Sequence, residues 1–170
     1  IDSSGNAITI GGTITGTNTT DTLVLTDGAG GGESSTISIG GAVSTFKSVT
    51  LTGDNGISLG GNITTNNVAD NDVDINGPVT LTAATTINTG ANDGTIDFSS
   101  TIDGTFNLTL DSNSGAIGVG GAIGGSTKIA VLDINHSDGA GIITLSGGIG
   151  NQASGAAGTT SGSAVDIGNA

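Results

Sequence analysis

The residues in this chain that could do chemistry are aspartates, and their densest run is Asp70-Asn71-Asp72-Val73-Asp74-Ile75-Asn76-Gly77. Alternating carboxylates offer the hard oxygen ligands that Ca²⁺ takes, so Asp70, Asp72 and Asp74 are the candidate metal ligands. The run matches an EF-hand loop only at its first positions. Ile75 stands where the sharp-turn glycine belongs, and Leu81 where the bidentate glutamate belongs. The simpler expectation is a solvated acidic loop running into a strand, with no cofactor. Catalytic constellations are harder to assemble. His136 is the single histidine and Glu33 the single glutamate; Asn135-His136-Ser137-Asp138-Gly139 reads as a polar turn, not a nucleophile relay. Gly28-Ala29-Gly30-Gly31-Gly32 lacks the lysine and the following helix of a phosphate loop. The expectation is that this is not an enzyme.

The net charge is −13, with 15 acidic residues set against Lys47 and Lys128. Phosphate backbones and anionic lipid surfaces would repel such a chain, which argues against nucleic-acid partners and basic-patch membrane binding. Aspartate outnumbers glutamate because aspartate bonds its own backbone in turns. With no cysteine, disulfide frameworks, thiol catalysis and thiolate metal sites are excluded together. The most apolar stretch, Gly115 to Gly125, falls well short of the roughly 20 apolar residues a spanning helix needs. No membrane insertion is expected.

The elements that must carry these residues are strands. A cassette of apolar, small, apolar, two small, spacer, apolar recurs, first as Ile8-Thr9-Ile10-Gly11-Gly12-Thr13-Ile14 and then from Ile37, Ile57, Ile96, Ile117 and Ile143, with a looser copy at Val79. Its steps are 29, 20, 22, 17, 21 and 26 residues. A second alternating trio follows most copies, as in Leu23-Val24-Leu25, Val49-Thr50-Leu51 and Val73-Asp74-Ile75, but the short row from Val79 lacks one. Apolar residues two apart share one side of a strand. A period near 20 residues built on such pairs indicates stacked β-rungs. The chain has no Met, Trp or Tyr and only three Phe, so Ile, Leu, Val and Ala must fill a thin core. The expected fold is all-β, a parallel β-solenoid of about seven rungs. It forms one segment over 1–170 with a loop at 151–163. Ile10, Ile39, Leu59, Leu81, Phe98, Val119 and Leu145 should form one buried column, with glycine pairs turning the corners through unusual backbone angles and stacking there without crowding. Thr9, Ser38, Ser58, Thr80 and Thr144 recur at outward positions of the cassette, a hydroxyl ladder that Asp97 and Gly118 interrupt and that ordinary β-propensity explains. Asp133 and Asp166 should face each other across two rows.

Gly77-Pro78-Val79-Thr80-Leu81-Thr82-Ala83, Gly94-Thr95-Ile96-Asp97-Phe98-Ser99-Ser100 and Gly120-Gly121-Ala122-Ile123-Gly124-Gly125 resemble the β-strand repeats of large bacterial exported surface proteins, of the filamentous-haemagglutinin and autotransporter-adhesin type. The likeness is one of repeat style and composition over nearly the whole chain. It implies a right-handed parallel β-helix, an extracellular location at a bacterial cell surface and a structural or adhesive role. It carries over no binding residues. The function expected is that of a rigid rod: an adhesin stalk, a sheath element or the subunit of an extracellular filament. A ligand- or Ca²⁺-binding extracellular β-repeat module is the rival class. Neither the lead into Ile8 nor the closing Ala164-Val165-Asp166-Ile167 reads as a cap. The expected partners are therefore further rungs of a longer chain or a second copy stacked head-to-tail, together with a host or neighbouring cell surface.

Overall fold

The computed structural model describes residues 1–28, 36–135 and 141–150, together with the strand 164–168. Glu33, the turn around His136 and the expected loop at 151–163 lie outside the described residues. The first turn comprises β1 (Ile8–Ile10), β2 (Ile14–Thr15) and β3 (Thr22–Thr26). The second comprises β4 (Ile37–Ile39), β5 (Val43–Phe46) and β6 (Ser48–Thr52), and the third β7 (Ile57–Leu59), β8 (Ile63–Thr65) and β9 (Val73–Asn76). Next come β10 (Val79–Leu81), β11 (Thr85–Asn88) and β12 (Ile96–Phe98), then β13 (Ile102–Asp103), β14 (Leu108–Asp111) and β15 (Ile117–Val119). The last strands are β16 (Val131–Asn135), β17 (Ile143–Leu145) and β18 (Ala164–Gly168).

Each strand pairs in parallel with its counterpart one turn away. Three sheets result. Sheet one runs β1-β4-β7-β10-β13, sheet two β2-β5-β8-β11-β14-β16-β18, and sheet three β3-β6-β9-β12-β15-β17. The fold is the expected all-β parallel solenoid, but its complete three-strand turns number about five, not seven. In the last two rows sheet one shrinks to single bridges, Ile102 to Ile123 and Ile123 to Ile149. The chain leaves the strand there because Gly124 and Gly150 take left-handed φ angles of 68° and 76°.

Strands are three to five residues long in most rows because Gly, Asn or Asp brackets each apolar pair. The alternation places one side in a dry interior. In β4, Ile37 and Ile39 are buried on either side of a half-buried Ser38. Stacked aliphatic columns fill that interior, and burying each such side chain contributes roughly 1.5–3 kcal/mol before the entropy of ordering is counted.

The register corrects one expectation. Ile10, Ile39, Leu59 and Leu81 do stack in sheet one. Phe98, Val119 and Leu145 belong instead to sheet three, where Phe98 continues the column of Leu25, Leu51 and Ile75. The cassette crosses the corner between sheets one and two in the early turns. From Ile96 onward it crosses the corner between sheets three and one, with Ile96 and Phe98 in sheet three and Ile102 in sheet one.

Of the two reasons expected for the corner glycines, close stacking holds and unusual backbone angles do not. Gly41 and Gly61 do not have left-handed φ; each sits so close over the preceding row that a Cβ would collide with the backbone of Gly12 or Gly41 respectively. Close approach, not backbone angle, selects glycine there.

Candidate functional site

The three candidate ligands lie at the corner between sheets two and three and on the strand that leaves it, and they do three different things. Asp70 sits in the turn with φ of 58°, and its exposed carboxylate pairs with Lys47 Nζ at 3.5 Å. Asp72 is half-buried. Its Oδ1 accepts from the Thr95 backbone N–H at 2.8 Å and from Thr95 Oγ1 at 3.0 Å, tying the start of β9 to the start of β12 one turn on. Asp74 points outward from β9, stacked between Thr50 of β6 and Asp97 of β12. Burial raises the Asp74 pKa above the ordinary carboxylate value, and the charges of Asp72 and Asp97 raise it further. Among the described residues, no group of three or more His, Cys, Asp or Glu side chains is arranged to hold a metal ion. The fold thus brings Asp72, Asp74 and Asp97 to one face and turns Asp70 toward Lys47.

Asn71, between two of these carboxylates, is a core residue. It is fully buried, and its Nδ2 donates to the carbonyls of Asn66, at 3.0 Å, and Thr89. It belongs to a polar seam along the corner between sheets two and three. There the buried hydroxyls of Thr65, Thr89 and Ser112 donate to the carbonyls of Asn71, Gly94 and Gly115 at 3.0, 2.8 and 2.6 Å. Each hydroxyl closes the turn that launches the next strand of sheet three. The sequence gives a faint sign of this seam, a Thr or Ser just past the apolar residues of β8, β11 and β14. Only the register shows that the three stack.

Sheet three also carries a groove of about 500 Å³ on its outer face, bordered by Asp74, Thr95, Asp97, Ser99, Thr144 and Ser146. Its floor is β15, where Gly118 and Gly120 leave the outward positions bare. Asp97 leans over that floor, and a Cβ on Gly118 would run into Asp97 Oδ1. The sequence does not show the pairing of Asp74 with Asp97, since Asp97 belongs to the cassette from Ile96 and Asp74 to a trio.

The hydroxyl ladder holds over Thr9, Ser38, Ser58 and Thr80, after which Asp103 takes the next place. Thr144, expected in that ladder, stacks on Gly118 in sheet three. Asp133 and Asp166 are direct partners, as expected from their trios. At the first turn, Asp21 accepts from the backbone N–H groups of Thr17 and Asn18 at 2.8 and 2.9 Å, and these bonds hold its pKa below the ordinary value. Among the described residues, no helix is long and apolar enough to cross a membrane. Compared with known protein families, curated proteins and solved structures, the chain matches none.

Proposed function

We propose that this chain is a non-catalytic structural or adhesive element of a bacterial cell surface, an exported rod of the filamentous-haemagglutinin and autotransporter-adhesin type. It serves as a stalk, a sheath element or an extracellular filament subunit. The observation that carries this reading is the parallel ladder. Each of the five complete turns adds one strand to each sheet at about 4.8 Å per row, so length and stiffness grow by repetition with no change of design. Self-association or added rungs fit the ends of the ladder. Ile10, Ile14 and Leu23 in the first turn and Ile143, Leu145 and Ile149 in the last rows are only partly buried against the core. Another row, from this chain or a second copy, would bury them. Head-to-tail contact of this kind is heterologous and propagates unless it closes into a ring. Electron microscopy, sedimentation and thermolysin digestion of the purified chain test the reading. It expects thin, protease-resistant rods of constant width whose length increases with concentration; compact particles digested to small peptides contradict it.

A ligand- or Ca²⁺-binding role is the second reading, favoured by the groove of sheet three with Asp74 and Asp97 at its edge. If Asp70, Asp72 and Asp74 gather Ca²⁺, EDTA lowers the melting temperature and the triple change to Asn abolishes that sensitivity. An indifferent melting temperature leaves a solvated acidic edge, the outcome the Lys47 and Thr95 contacts favour.

A further inference from the structure

Two Asn-Gly pairs, Asn55-Gly56 and Asn76-Gly77, stand in successive turns between sheet three and sheet one. In sequence they are equivalent, since glycine leaves its backbone nitrogen unhindered in approaching the preceding asparagine Cγ. The fold treats them differently. Gly56 N–H donates to the Gly53 carbonyl at 3.2 Å, closing a tight turn. Among the described residues, neither Gly77 N–H nor the Asn76 side-chain amide has a hydrogen-bond partner, and Asn76 is exposed at the end of β9.

We propose that Asn76 is a site of spontaneous modification, deamidating through a cyclic imide. The Gly77 nitrogen attacks Asn76 Cγ, forming a new C–N bond. The bond from Cγ to the side-chain nitrogen breaks, and ammonia leaves with the proton that the Gly77 nitrogen gives up. Water then adds to one of the two imide carbonyls, opening the ring to aspartate or isoaspartate. Either product adds a negative charge two residues from Asp74, on the face that also carries Asp97. Isoaspartate does more. The main chain then runs through Cβ, one carbon longer, and the carbonyl that accepts Gly53 N–H at 2.9 Å becomes a free carboxylate. This corner has no slack: Gly77 has φ of 141° and packs so tightly on the preceding turn that a Cβ would collide with the Gly53 carbonyl. Isoaspartate at position 76 therefore separates the second turn from the third, giving the rod a weak point that accumulates with age. The chemistry is independent of what the rod does.

Mass spectrometry of peptides, taken after the folded protein has stood in mildly alkaline buffer, reads both sites at once. Each rate is divided by the rate at the same site in the chain unfolded with denaturant. The ratio for residue 76 is expected to exceed that for residue 55 about fivefold, the factor carried by one ordinary net hydrogen bond. Asn76→Ser should remove the fast modification and leave the melting temperature of fresh protein unchanged. Equal ratios, a larger ratio at residue 55, or no conversion at residue 76 while the unfolded chain converts would each overturn the proposal.

Discussion

Asp74 shows how a solenoid changes the meaning of a residue. Spacing along the chain places it beside Asp72, but stacking adds Asp97 from the next turn, and like charges in register repel. Its pKa is raised in the fold, so the folded state takes up a proton at a higher pH than the unfolded chain does. Ionised Asp74 therefore costs stability at neutral pH, and that cost is relieved as pH falls through the raised value toward 3.8. Asp74→Asn should melt higher than the parent at neutral pH, with the gap closing as the pH approaches 4; a constant gap would point to packing instead of charge. Asn71 gives the opposite case. Asn71→Ala strips the donor from two carbonyls and should cost about 1–3 kcal/mol in denaturant titrations. Read as a sequence, Asp70 to Asp74 is one acidic motif. The fold divides it into a surface ion pair, a turn tether, a buried strut and a stacked charge, because each of the four finds at least one partner in another turn.

The strands themselves were legible, since alternating Ile, Leu and Val between Gly, Asn and Asp leaves little choice of element. What the cassette concealed was its own phase. Two signs marked the slip: the step of 17 residues from Val79 to Ile96, and the missing trio in that row. Both arise because a single motif serves at two different corners. Apolar pairs flanking two small residues fit either bend, so the motif alone does not say which sheet it enters. Corner glycines offer a test of the stacking. Gly41→Ala forces a Cβ into the backbone of Gly12 and should cost about 1–3 kcal/mol, as overpacking does. Gly12→Ala meets nothing within 4 Å and should be close to neutral. Equal effects of the two changes on the melting temperature would mean that the turns are not stacked this way. Phe98 fills its column between Ile75 and Val119 with a fully buried aromatic ring, so Phe98→Ala should cost about 3–5 kcal/mol.

At the scale of the molecule, the three sheets and their aliphatic columns carry the order, and the net charge of −13 works against it. Exposed carboxylates stacked a strand spacing apart are screened by salt, so the melting temperature should rise with ionic strength. The whole fold depends on the register that makes one continuous solenoid from cassettes in two phases. The chain has no cysteine, so paired cysteine substitutions report that register directly. Asp74→Cys with Asp97→Cys joins parallel partners, whose Cα atoms lie about 5 Å apart and within disulfide reach. Thr80→Cys with Asp97→Cys joins positions that cassette counting makes neighbours but that the fold places on sheets one and three. Under mild oxidation, the first pair should close an intramolecular disulfide and the second should stay reduced. A disulfide in the second pair, with the first still reduced, would mean that the turns do not stack in this register.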